Sequence, residues 1–318
     1  MADRPNLSGV LLQAPGSHHG DKVFFCRRGK RHWVKNADWL AEHGFVWPDD
    51  LQFVAPSVID AFEFGRNAPG RYSDEQWRNP PRHSTDVMRE ISVSRLHGTG
   101  IEVGAGPTPT PMPLDCVVRY ADIFSMDELR AYFSHSGEDL NNLVPPDIKA
   151  SLDDMSAVPD GSVDFVVACH VIEHVSDPIG ALKNNWAKLR PGGSLVFAVP
   201  EMTRTFDRDR ALTTLSHLLE DHADPQGRRE RDKAHFQEFH RLAFPLPEET
   251  YEADWRRSWE GADPIHYHTW TYDSFRDLIT VLTGPNGPLA NAEVWSQPPL
   301  DDPAACIEFW FCLTKPKV

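Results

Sequence analysis

Basic residues are in short supply. Lys and Arg number 32 against 47 Asp and Glu, for a formal charge of −15. Binding a nucleic-acid backbone needs clustered cations that displace counterions, so this balance argues against a polyanion partner. The one tight basic cluster, Arg27, Arg28, Lys30 and Arg31 around Gly29, is short and reads as the solvated turn of a hairpin. Cysteine is sparse too. Cys26, Cys116, Cys169, Cys306 and Cys312 are odd in number and form no Cys-x-x-Cys pair. That pattern suits reduced thiols in a cytoplasmic protein better than a disulfide framework. The first residues hold no apolar signal core and no run reaches the length of a bilayer span, so the expectation is a cytoplasmic protein with no membrane partner. What is present is ordinary for a globular chain, with 40% hydrophobic and 25% charged residues over 318 positions. This length suits one large domain with an appendage, or two small ones.

A third glycine is also missing, and its absence is informative. Residues 100–106 read Gly-Ile-Glu-Val-Gly-Ala-Gly, a short apolar strand running into a glycine turn. A dinucleotide fingerprint places another glycine three residues on and opens a helix there. Here Pro107, Thr108 and Pro109 follow, and Pro111 and Pro113 complete a segment that excludes an ordinary helix. A pyrophosphate seated on a helix start, and with it a nicotinamide oxidoreductase, is disfavoured. The next apolar run, Val117 to Tyr120, leads to Asp122, a carboxylate placed to accept both hydroxyls of a ribose. Together these features fit a nucleoside cofactor without a pyrophosphate.

Along the chain, residues 1 to about 20 are polar and read as a flexible lead. Strands at 23–25 and 32–34 form a hairpin, and Asn36 caps a helix over 37–43, giving an α+β appendage across 1–65. Residues 66–83, rich in Pro, Gly, Asn and Arg, read as a linker. Ser84 or Asp86 caps a helix to about Leu96 with Val87, Ile91, Val93 and Leu96 as its apolar stripe. Further strands are expected at 116–120, weakly at 143–150, and at 163–168, 194–199, 290–295 and 306–313. Helices are expected at 126–132, after Asp177, at about 211–222, and at 272–282 behind Thr271 or Asp273. Alternating strands and helices predict a Rossmann-like, doubly wound α/β sheet of seven strands across 84–318. The long excursion at about 202–265 reads as a helical lid.

Four motifs in order carry a resemblance: Glu-Val-Gly-Ala-Gly at 102–106, Pro-Asp-Gly-Ser-Val-Asp at 159–164, Ile-Glu-His at 172–174 and Leu-Arg-Pro-Gly-Gly at 189–193. This set resembles the class I S-adenosylmethionine-dependent methyltransferases, especially the small-molecule enzymes of type 11. The resemblance implies that Glu102, Gly104, Ala105 and Gly106 flank the methionine and ribose of S-adenosyl-L-methionine and that Asp122 binds the ribose hydroxyls. It also implies that Leu152, Asp153 and Asp154 meet the adenine, and that Cys169 and His170 lie near the sulfonium. Residues 205–210 and 212–222 look like a subgroup found beside glycosyltransferases, which suggests a saccharide acceptor.

Methyl transfer to an alcohol needs a general base, and histidine suits neutral pH. His170 is placed best, directly after the fourth strand, and His174 follows on what reads as one helical face. His222 ends the acidic run Glu220-Asp221, and His266 or His268 faces the pocket from the far side. Each has a packed or surface role as its alternative. His170, Glu173 and His174 also offer three metal-ligating side chains within five residues. Ubiquinone-type O-methyltransferases hold a divalent cation in a similar segment, but the Glu-His pair occurs in many relatives without metal, so a cation is possible and not favoured. The expected function is O-methylation of a small-molecule or saccharide hydroxyl, with S-adenosyl-L-homocysteine as product. Its alternatives are N- or C-methylation of a small metabolite and a non-catalytic regulator that binds the cofactor or its product. A homo-oligomer is compatible with all of them.

Overall fold

The computed structural model describes residues 9–27, 29–34, 37–42, 44–64, 74–80, 84–113, 116–135, 137, 140, 143–304 and 306–317. The expected cap at Asn36, Arg28 in the hairpin turn, the first eight residues of the lead and most of the linker lie outside this set.

The amino-terminal region contains strands β1 (Val10–Gln13), β2 (Val23–Arg27), β3 (Lys30–Val34), β4 (Leu51–Phe53) and β5 (Glu63–Phe64), with helices α1 (Ala37–Glu42) and α2 (Pro56–Asp60). They form one sheet in the order β4-β1-β2-β3-β5. The expected hairpin is its centre, with Phe25 opposite His32. The lead is not all loose chain, because Leu11 and Leu12 of β1 are buried on opposite faces. Alternation decides this: Leu11 and Phe25 pack with Trp39 of α1, whereas Leu12, Phe24 and Cys26 pack with Ile59 of α2.

In the region read as a linker, α3 (Asp74–Arg78) carries Trp77, whose ring stacks on Trp295 at 4.5 Å. Helix α4 (Thr85–Val93) follows, capped by the Ser84 side chain accepting from the Val87 N–H. Then come β6 (Thr99–Val103), β7 (Val117–Asp122), α5 (Met126–Phe133), β8 (Ile148–Lys149), β9 (Val163–Cys169), α6 (Pro178–Lys188) and β10 (Leu189–Pro200). Helices α7 (Leu215–Ala223), α8 (Pro225–Glu238) and α9 (Tyr251–Gly261) occupy the long excursion. Helix α10 (Tyr272–Thr283) and strands β11 (Glu293–Gln297) and β12 (Glu308–Thr314) close the chain.

The second sheet has seven strands in the order β11-β12-β10-β9-β6-β7-β8, parallel throughout except around β12, which is antiparallel to both β10 and β11. Phe165, Val166, Val167 and Ala168 of β9 are fully buried, as expected of a central parallel strand covered on both faces. The chain runs from β6 outward through β7 and β8, then returns to lay β9 on the other side of β6. The carboxyl ends of β6 and β9 are therefore the topological switch point, the crevice where open α/β sheets bind ligands. As the prolines require, the described residues between β6 and β7 contain no helix.

Candidate active site

Gly104 and Gly106 leave β6 with left-handed backbone, φ 64° and 50°. A Cβ on Gly104 would come within 2.8 Å of Val171, the second residue past the end of β9, so a bare turn is required where the two strand ends meet. Glu102 is buried and its Oε1 accepts from the Thr110 N–H at 2.7 Å, tying the proline loop back onto β6 in place of the missing helix. Thr110 also touches the Cys169 sulfur at 3.4 Å. Burial pushes the Cys169 thiol up to about 11, so it is neutral. Asp122 ends β7, with Oδ1 accepting from the Phe124 N–H at 2.9 Å; burial raises its pKa against that bond. Beside it, Leu152 is buried with its carbonyl held by Asn185, whereas Asp153 and Asp154 are exposed.

His170 also has left-handed backbone, φ 55°, unusual for a residue with a side chain. The turn aims its Nε2 at Glu308 Oε2, 2.7 Å away. Glu308 is buried on β12 and also accepts from Nε and Nη2 of Arg89 and from the Trp310 indole. Burial alone would raise the Glu308 pKa, but Arg89 and His170 hold it down at about 2. The same carboxylate, with Glu173, overcomes burial and raises the His170 pKa. This geometry fits His170 poorly as a base, because its imidazole favours the protonated form and Nε2 is committed.

Residues 172–174 form a single 3-10 turn rather than a helical face. The turn is held by the 265–268 segment, where the Tyr267 N–H donates to the Glu173 carbonyl at 2.8 Å and His174 Nδ1 donates to the Ile265 carbonyl at 2.9 Å. Burial lowers the His174 pKa, leaving a neutral ring with a free acceptor face. Its ring meets His266 edge-on at 4.6 Å. His266 Nδ1 lies 2.6 Å from Asp207 Oδ2, and Arg210 donates to Asp207 Oδ1 at 2.9 Å. Burial works against the Asp207 charge, but His266 and Arg210 prevail and lower its pKa. The Glu173 carboxylate is completely buried, with neither oxygen hydrogen-bonded and with His170 Nδ1 and His266 Nε2 each 3.9 Å from Oε1.

A known family of methyltransferase domains matches residues 85–283. The chain belongs to that family. An uncharacterized 37.1 kDa protein in a Streptomyces fradiae transposon is 28% identical over 123 residues, covering 38% of this chain and 35% of that protein, about a third of its length. Among solved structures, a methyltransferase from Thermotoga maritima aligns with a TM-score of 0.34 at 14% identity, covering 68% of this chain and 82% of that one. One from Methanococcus maripaludis aligns at 0.35 and 14%, covering 77% and 89%.

The methyltransferase family implies S-adenosylmethionine as cofactor, and the residues at the switch point fit it. The bare turn at Gly104 and Gly106 gives close backbone approach, the half-buried Asp122 is an acceptor for a diol, and Asp153 and Asp154 offer acceptors to an exocyclic amine. Glu102 differs from expectation, since its Oε1 serves the protein's own loop. His222 is not brought to the candidate site. Its Nδ1 faces Asp177 at the start of α6, its Nε2 faces Lys183, and it lines a groove of about 570 Å³ between α6 and the 280–288 segment. His268 is buried behind the 172–176 turn with Nε2 donating to the Ser176 carbonyl at 3.3 Å, which fits packing better than proton transfer. Neither Asp207 nor Glu308 was among the expected site residues. Glu308 had a signal, a lone carboxylate in the apolar run from Ile307 to Leu313; the pairing of Asp207 with His266 spans 59 positions and left none.

Proposed function

We propose that this protein is a methyltransferase that places the methyl of S-adenosylmethionine on an oxygen of a small hydroxylated acceptor, of saccharide type. The observation that carries this reading is the buried Asp207–His266 pair at 2.6 Å beside the turn that follows β9. A hydroxyl must lose its proton as the new bond forms, and a histidine held by a carboxylate is built to take it. When bound, the cofactor supplies a methyl activated by a sulfonium, ready for in-line displacement.

The chain's own residues then have distinct tasks. Gly104, Gly106 and Asp122 hold the nucleoside, with Asp153 or Asp154 at the adenine. Asp207 accepts the Nδ1 proton of His266, fixes the tautomer that leaves Nε2 as a lone pair, and stabilises the imidazolium once Nε2 has taken the hydroxyl proton. Arg210 keeps Asp207 ionised. His170, locked to Glu308, sets the conformation of the strand end and acts as a positioning residue.

Residues 202–265 act as the lid of an 84–318 catalytic domain. Support comes from the lid's own apolar cluster of Phe236, Phe239, Tyr251 and Trp255, which gives it a rigid inner surface. Phe206 and Phe244 are exposed, their rings 4.7 Å apart, and Phe206 lies 4.7 Å from the His266 ring. Such aromatic faces suit the apolar side of a sugar ring.

The test is a methylation assay with labelled S-adenosylmethionine against a panel of glycosides, with the methylated atom located by mass spectrometry. Expected is an O-methyl product whose formation falls by about 10²- to 10⁴-fold in His266→Gln while cofactor affinity holds. A methyl on nitrogen or carbon, or full turnover in His266→Gln, would overturn the reading.

A further inference from the structure

Three imidazoles from three separate elements converge outside the candidate active site. His217 comes from α7, His235 from α8 and His268 from the segment before α10. One ligand atom from each lies within 4.8 Å of the other two. His217 Nε2 and His235 Nε2 are 3.0 Å apart, and the His268 ring centre lies 5.1 Å from that of His235 and 5.7 Å from that of His217.

The details favour a ligand over mutual packing. His268 is 1% exposed, and its Nε2 is occupied by the Ser176 carbonyl. Its Nδ1 is buried with no hydrogen-bond partner, so an imidazole lone pair is fixed in place by a carbonyl on the ring's other nitrogen. That is the arrangement by which proteins orient metal-binding histidines. Asp221 is fully buried and brings Oδ2 to 3.1 Å from His217 Nε2, while Arg231 occupies its Oδ1 at 2.6 Å. Around a tetrahedral zinc ion with bonds of about 2.0 to 2.1 Å, neighbouring ligand atoms stand roughly 3.3 Å apart, close to the separation of the two Nε2 atoms.

We propose that His217, His235 and His268 form a binding site for a first-row divalent cation, zinc in preference to magnesium or calcium. The donor set decides the class, since imidazoles suit zinc and its neighbours whereas hard cations take oxygen ligands. The cation would staple α7 and α8 to the 265–268 segment. It is distinct from the cation weighed for the 170–174 segment, because none of its three ligands lies there.

The test is a competition titration of the chelator-treated full chain with zinc against a chromophoric chelator, alongside His217→Gln, His235→Gln and His266→Gln. His217 is the most accessible of the three ligands, so its variant is the least disruptive to folding. Wild type should bind one zinc per chain. Affinity should fall by on the order of 100-fold in His217→Gln and in His235→Gln, and should hold in His266→Gln. Cobalt(II) added to wild type should give the intense visible bands of a four-coordinate site, a readout that needs no variant. Failure to bind stoichiometric zinc, six-coordinate cobalt spectra, or loss of binding in His266→Gln with retention in His217→Gln would each overturn the proposal.

Discussion

Glu308 is a carboxylate inside an apolar strand, and three donors converge on it. Removing it in Glu308→Ala leaves Arg89 and His170 without their shared counter-charge, and the expected loss is about 3 to 5 kcal/mol in urea unfolding. The pH dependence follows from the shifts. Glu308 is held near 2 against an ordinary value of 4.5, so its contribution is present above pH 4.5 and is lost as pH falls toward 2. His170 is raised above 6.5, so its contribution is full below 6.5 and is lost as pH rises through its folded value. Thermal unfolding of wild type should therefore show the Glu308–His170 contribution at its greatest between about pH 4.5 and 6.5, with that dependence absent in Glu308→Ala. At the same scale, Asp207→Asn should cut turnover while leaving cofactor affinity intact, because Asn cannot stabilise an imidazolium at His266. Unchanged kcat at saturating acceptor would contradict that role. His170 shows why a position can be legible when its role is not: its place after β9 was readable from the strand, but its partner lies 138 residues away.

The elements divide by how locally they are determined. β9 and α6 were plain from sequence, since a nearly continuous apolar run and an Asp177 cap with Pro178 are signals within one segment. α10 was plain for the same reason, with Thr271 as its cap. β1, β4 and β5 were not, because strands of two to four residues exist only through pairing with distant partners. β10 begins earlier than expected because Arg190, Pro191, Gly192 and Gly193 enter the strand as an irregularity between Leu189 and Ser194. The glycine turn was legible, since only glycine tolerates its backbone cheaply. Gly104→Ala should cost about 1 to 2 kcal/mol from the left-handed conformation alone. Contact with Val171 adds to it, and cofactor affinity should fall as well. Wild-type stability together with wild-type affinity in Gly104→Ala would show that the turn is not as tight as its geometry states.

At the scale of the molecule, strand order carries most of the meaning. The switch in winding, with β7 and β8 laid on one side of β6 and β9 on the other, creates one crevice, and the glycine turn, Asp122, Cys169 and the 170–174 turn all meet it. The doubly wound sheet was predictable because strands and helices alternate from residue 84 onward. The way the 202–265 excursion folds back was not, since its apolar cluster draws on Ile265 and Tyr267 beyond its own helices. Among the described residues, no helix is long and apolar enough to cross a membrane. Calorimetric titration of the purified chain with S-adenosylmethionine, beside Asp122→Ala and with NAD as the competing nucleotide, tests the crevice most directly. One cofactor should bind per chain, weakened by roughly 1 to 3 kcal/mol in the folded Asp122→Ala variant, with no NAD binding. Equal affinity in Asp122→Ala, or binding of NAD in place of S-adenosylmethionine, would contradict the assignment of this crevice as a methyl-donor site.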